Sequence, residues 1–215
     1  MIHVMYFTFN PFQENTYVLY DDTKEAVIVD PGCFTQQEFD FLVDSIESEG
    51  LKPVRLVNTH CHLDHVGGNS YVMKHYNLKL EAHDLDLPTL HQAPLSAQMY
   101  GIHNFIASPE PDVFISEKDT IRFGESELEI RFVPGHAPGH VVFYAREEGF
   151  VIAGDTLFQQ SIGRTDLPGG NHELLLSSIE QQLFTLPDST VVYCGHGPST
   201  EIGFEKNNNP FFTGR

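Results

Sequence analysis

The chain has 215 residues, with 12 Lys plus Arg against 30 Asp plus Glu and a formal charge of −18 when histidine is neutral. A surface this acidic repels phosphate polyanions, so nucleic acid and anionic membranes are excluded as expected partners. A hydrophobic content of 40% with 12% aromatic residues is enough to build a core, and one domain spanning residues 1–215 is expected.

Met1 to Tyr20 carries no basic leader followed by an apolar block, and no run approaches the roughly 18 apolar residues of a spanning helix. The three cysteines, Cys33, Cys61 and Cys194, form no CxxC pair. Their odd number argues against a disulfide framework and for a reducing, cytoplasmic setting.

The alternation of Ile2, Val4 and Tyr6, the β-rich stretch Thr16 to Tyr20 and the apolar run Ala26 to Val29 predict strands that lead into Asp30-Pro31-Gly32. Thr35 and Glu38 form a capping-box signature ahead of Phe39, Leu42, Val43 and Ile46, which predicts an amphipathic helix ending before Gly50. A strand over Val54 to Asn58 and a helix over Asn69 to Tyr76 follow. The stretch Asp84 to Pro111, with prolines at 88, 94, 109 and 111, is expected to be an irregular surface insertion or lid, its apolar residues lining a cleft or a dimer contact. Two hairpins are predicted next, Thr120–Phe123 with Leu128–Val133 and Val141–Ala145 with Phe150–Ala153. A helix over His172 to Leu186, a strand over Thr190 to Cys194 and a docked tail from Glu201 complete the chain.

Twelve histidines are more than such a chain ordinarily carries, and neutral imidazole is the commonest metal ligand. Four potential ligands fall within His60-Cys61-His62-Leu63-Asp64-His65, directly after a predicted strand. A spacing of two puts His60 and His62 on one side of a strand end, where one cation can hold both, while Asp64 and His65 turn toward a neighbouring position. Three more β runs end beside small residues, at Pro134-Gly135-His136, Gly154-Asp155 and Gly195-His196-Gly197. Ligands converging along one rim of layered sheets are the expected outcome.

These segments, with Pro134-Gly135-His136-Ala137-Pro138-Gly139-His140 and Asp30-Pro31-Gly32, resemble the metallo-β-lactamase superfamily in motif and in order from about residue 13 onward. The resemblance implies an α+β fold, a four-layer αβ/βα sandwich with two divalent cations at one edge. Zinc is the first choice, with iron or manganese as alternatives. It implies His60, His62 and His136 around one ion, Asp64, His65 and His196 around the other, and Asp155 between them. Asp30 and His140 become supports behind the ligands.

Gly154-Asp155-Thr156-Leu157-Phe158 and Gly163-Arg164-Thr165-Asp166 are similar to the glyoxalase II (hydroxyacylglutathione hydrolase) branch, in its short form without a helical C-terminal domain. That implies hydrolysis of a small-molecule thioester such as S-lactoylglutathione by a bridging hydroxide, which Asp64 orients. Arg164 and Lys206 are expected to meet substrate carboxylates. The alternatives are a mononuclear iron persulfide dioxygenase on His60, His136 and Asp155, and a lactonase or other ester hydrolase on the same two ions.

Overall fold

The computed structural model describes residues 1–214. One sheet holds, in spatial order, β1 (His3–Phe9), β2 (Glu14–Tyr20), β3 (Glu25–Val29), β4 (Lys52–Val57), β5 (Leu80–Ala82) and β6 (Val113–Phe114). The second holds β7 (Thr120–Phe123), β8 (Ser126–Phe132), β9 (Val141–Ala145), β10 (Phe150–Gly154), β13 (Val191–Cys194) and β14 (Thr200–Glu201), while β11 (Leu157–Phe158) and β12 (Ser161–Ile162) form a separate ribbon.

Side chains alternate between the two faces of a strand, and that period of two builds the layers. Tyr17, Leu19, Val27, Val29 and Val57 of the first sheet meet Val141, Phe143, Ala145, Phe150 and Ile152 of the second between the sheets. The intervening residues face outward under helices. Val18, Ala26, Ile28 and Leu56 pack against Phe39, Leu42, Val43 and Ile46 of α1 (Gln36–Ser48) and Val72 of α3 (Asn69–Tyr76). Val142, Tyr144, Val151, Ala153 and Val192 pack against Leu175 and Leu176 of α5 (His172–Ser178) and Ile179 and Leu183 of the π turn that continues it. Burial on both faces is why the central strands read as unbroken apolar runs. The α1 capping box forms as its sequence signature predicts.

The architecture is the four-layer αβ/βα sandwich. The tail from Glu201 docks through α6 (Ile202–Asn208) and α7 (Pro210–Thr213), with Phe212 packed on Phe184. Among the described residues no helix is long and apolar enough to cross a membrane.

The irregular insertion expected over Asp84 to Pro111 forms only in its second part, residues 100–111; the first part is helical. After a 3-10 turn at Asp84–Asp86 comes a thirteen-residue helix, α4 (Leu87–Met99). Pro88 sits in its first turn, where no intrahelical donor is required, and Pro94 sacrifices one hydrogen bond in the interior. Burial of Leu90, Ala93 and Ala97 beside Phe34, Leu63 and Val66 offsets that loss.

Strand direction places the site. β8 and β10 both run antiparallel to β9, and β13 runs parallel to β10, so the segments after all three emerge at one edge. β3 and β4 are likewise parallel. Two backbone bonds lace the sheets together at this edge, Val141 N–H to the Thr59 carbonyl at 2.8 Å and Asn15 N–H to the Gly195 carbonyl at 2.7 Å.

Candidate metal centre

His60 and His62 follow β4, and Asp64 and His65 lie in α2 (Leu63–Val66) immediately beyond it. His136 follows β8, Asp155 follows β10 and His196 follows β13. A Cβ on Gly195 would strike the Asp155 carboxylate, so only glycine lets the β13 loop approach so closely.

Donor atoms of His60, His62 and His136 lie within 4.8 Å of one another, and so do those of Asp64, His65 and His196. Asp155 touches both groups: its Oδ2 is 3.5 Å from His136 Nε2 and 3.4 Å from His196 Nε2, and its Oδ1 is 3.4 Å from His65 Nε2. Asp64 Oδ2 is 3.2 Å from His196 Nε2.

The other ring nitrogens fix the tautomers. His136 Nδ1 meets the Arg164 carbonyl at 2.7 Å and His196 Nδ1 meets the Phe12 carbonyl at 3.0 Å. Carbonyls only accept, so both Nδ1 atoms carry a hydrogen and both Nε2 atoms are turned into the cluster. His65 Nδ1 is likewise held by Asp30 Oδ2 at 3.1 Å. Asp30 spends its remaining capacity on Thr59 N–H at 2.7 Å, Thr59 Oγ1 at 2.5 Å and Asn58 Nδ2 at 3.2 Å, which leaves it behind the cluster. His140 Nε2 accepts the Asp155 backbone N–H at 3.0 Å, and its ring stacks on His60 with centroids 4.7 Å apart.

The donor set fits cations on the structure's own terms. His62 Nδ1 faces His136 Nε2 at 2.8 Å. Burial and the neighbouring imidazole push His62 down to about 3, so its ring is neutral, and the two facing nitrogens are satisfied either by one shared hydrogen or by a cation that takes both lone pairs. Burial, with His65 and His140 adding to it, also holds His60 well below the usual imidazole range, and its buried Nε2 has no hydrogen-bond partner. His65 Nε2 and Asp155 Oδ1 are buried and likewise without a hydrogen-bond partner.

The second group has the opposite electrostatics. Burial opposes charge on His65, but Asp155 and Asp64 outweigh it and raise the ring's proton affinity well above normal. His196 is raised to about 10 by the same balance. Against burial, His65 and His196 hold Asp155 well below the usual carboxylate range. Two buried carboxylates therefore demand positive charge where a second cation would sit.

Cys61 lies inside the ligand run, yet burial and Asp86 push its thiol well above the usual range, which removes it as a nucleophile. Arg164 adjoins the cluster through its backbone, while its guanidinium forms a bidentate pair with Asp166 at 2.7 and 2.9 Å. Lys206, expected beside substrate, is instead held by Asp188 Oδ1 at 2.5 Å and the Leu186 carbonyl at 3.3 Å, ahead of β13 rather than past its end.

Two buried carboxylates of the site carry no motif signal. Glu14, fully buried, accepts from Thr16 Oγ1 at 2.9 Å and lies 3.9 Å from His65 Nδ1. Asp86, also fully buried, accepts from Cys61 N–H at 2.5 Å, Gly139 N–H at 3.0 Å and Thr89 Oγ1 at 3.2 Å. It ties the loop bearing His60 and His62 to the loop bearing His136. Asp86→Ala strands those donors in the interior and is expected to cost about 2–4 kcal/mol, a fall of roughly 5–15 °C in Tm by calorimetry; an unchanged Tm would show that the bonds are not needed.

Comparison with known proteins follows the same lines. The sequence profile of the metallo-beta-lactamase superfamily matches residues 9–196. A probable metallo-hydrolase, YqgX of Bacillus subtilis, is 38% identical over 206 residues, covering 95% of this chain and 94% of that one. The hydroxyacylglutathione hydrolase GloC of Haemophilus influenzae is 37% identical over 205 residues, covering 95% of each. The crystal structure of TTHA1623 in a di-iron-bound form superposes with a TM-score of 0.87 at 37% identity, over 97% of this chain and 100% of that one.

Proposed function

The chain belongs to the metallo-β-lactamase superfamily as a metal-dependent hydrolase, and from that premise we propose that it cleaves small-molecule thioesters of the S-lactoylglutathione kind on a binuclear site. The observation that carries this reading is Asp155, a single carboxylate within 3.5 Å of ligand nitrogens in both groups. GloC, named for a hydroxyacylglutathione hydrolase, supports the thioester class.

His60, His62 and His136 would hold the first ion, Asp64, His65 and His196 the second, and Asp155 both. Such a pair, when bound, ionises water near neutral pH and polarises a carbonyl. The chain's own residues do the rest. Asp64, at the edge of the cluster, orients the attacking water. The hydrogen bonds from His136 to Arg164 and from His196 to Phe12 keep the rings from turning as charge develops. No protein acid is needed for the leaving group, because a thiolate with an ordinary pKa of about 8.5 departs readily. A mononuclear iron dioxygenase on His60, His136 and Asp155 leaves His62 and the Asp64–His65–His196 group without a ligand role.

The test is a metal count joined to an assay. Elemental analysis is expected to find close to two ions per chain, and thiol release from S-lactoylglutathione should stop on exhaustive chelation, return with added metal, and proceed equally with and without oxygen. One iron per chain, with oxygen uptake on glutathione persulfide and no thioester cleavage, would falsify the proposal.

A further inference from the structure

We propose that the rim of this site selects the thiol carrier by charge, accepting neutral and weakly anionic carriers and rejecting the polyphosphate of coenzyme A. The inference rests on the thioester reading above and narrows it.

Tyr100 lies against residues from both sides of the cluster. Its ring meets Phe12 edge to face at 5.1 Å, and its hydroxyl lies beside the Arg164 guanidinium. Phe12 supplies a carbonyl that holds His196, with Gln13 beside it, and Arg164 supplies the one that holds His136. Tyr100 thus joins the two segments that support ligands of opposite groups, and at 53% exposure it presents part of its ring to solvent. Phe34 and Phe105 extend the aromatic surface behind it, Phe12 to Phe34 at 6.3 Å and Phe34 to Phe105 at 5.7 Å.

Charge is scarce on this rim. Residues 87–109, which supply Tyr100 and Phe105, contain no Asp, Glu, Lys or Arg, in a chain of net charge −18. Arg164 is the one cation adjoining the cluster among the described residues, and Asp166 already holds it in a bidentate pair. Arg55, Arg131, Arg146 and Lys206 pair with Glu81, Glu129 and Asp188 elsewhere.

With the acyl end in the cluster, the carrier must trail across this rim. An uncharged carrier finds aromatic surface. A glutathione thioester, with two carboxylates and one ammonium, carries a net charge of −1 and finds one guanidinium, shared with Asp166. A row of phosphates finds no counter-charge and the repulsion of an acidic body.

One acyl group on three carriers tests this. The D-lactoyl thioesters of N-acetylcysteamine, glutathione and coenzyme A are compared on the metal-loaded protein, and binding of their non-hydrolysable S-hexyl thioethers is measured by calorimetry. At low ionic strength kcat/KM for the coenzyme A ester is expected to be at least ~10-fold below that for the N-acetylcysteamine ester, with thioether affinities in the same order. The gap should narrow to about 3-fold near 0.5 M salt as screening shortens the field.

Met99→Lys, at a position 80% exposed beside Tyr100, should raise kcat/KM for the coenzyme A ester by roughly 3-fold or more and leave the N-acetylcysteamine ester within about 2-fold. Arg164→Gln, which keeps the backbone carbonyl on His136, should raise KM for the glutathione ester more than for the N-acetylcysteamine ester. Equal or better use of coenzyme A, in turnover or in thioether binding, overturns the inference. Thioethers binding in the expected order with no ester cleaved would instead overturn the thioester reading and leave the rim's charge selection standing.

Discussion

Asp155→Ala is expected to lower kcat/KM by roughly 10³-fold, equivalent to about 4 kcal/mol of transition-state stabilisation, and to reduce bound metal from two ions per chain to one or fewer. Among the described residues no other side chain approaches His136, His65 and His196 together, at 3.5, 3.4 and 3.4 Å. Removing it deprives both groups of their shared anion. The metal-free variant should also melt below the parent, because the buried rings of His65 and His196 lose the carboxylate that raises their proton affinity. What should shrink is the rise in Tm on adding zinc, since that rise reports binding to the native state alone. Elemental analysis and calorimetry with and without zinc measure both effects; two ions retained with full turnover would remove Asp155 from the bridging position.

The site was legible where its residues share one local syntax. His60, His62, His136, Asp155 and His196 each follow a β run and stand beside small or turn-forming residues, and layered sheets bring such strand ends to one rim. Glu14 and Asp86 were not legible, because their meaning lies in partners far along the chain: Asp86 holds Gly139, and Glu14 faces His65. A lone buried carboxylate has no sequence signature. The helix α4 was hidden by Pro88 and Pro94, whose cost is repaid by a packing stripe that periodicity alone could not weigh against two breakers. Lys206 was misplaced for a topological reason. The backbone bonds of Ile202 to Thr190 and Gly203 to Asp188 fold the tail back to the start of β13, while the ligand loop leaves from its end.

Asp30 offers the sharpest separation of folding from function, through two substitutions at one position. Its backbone is left-handed, with φ of 49°, and both carboxylate oxygens are occupied by Thr59, Asn58 and His65. Asp30→Ala puts a side chain that cannot bond locally into a left-handed conformation and strands several buried donors. A loss of about 3–5 kcal/mol is expected, a fall of roughly 6–20 °C in Tm. Asp30→Asn keeps the size, the tolerance of positive φ and an oxygen for the Thr59 N–H. The stability loss should then be about 1 kcal/mol. Its amide nitrogen, however, faces His65 Nδ1 and turns that atom into an acceptor, which moves the ring hydrogen to Nε2 and aims it into the cluster. Metal affinity should fall by roughly 10–100-fold, the scale on which a ligand's hydrogen-bond partner acts. Competition against a chromogenic chelator measures that loss while calorimetry follows the fold. If Asp30→Asn bound metal as tightly as the parent, the orientation of His65 would owe nothing to Asp30, and the carboxylate's part would be confined to holding the chain.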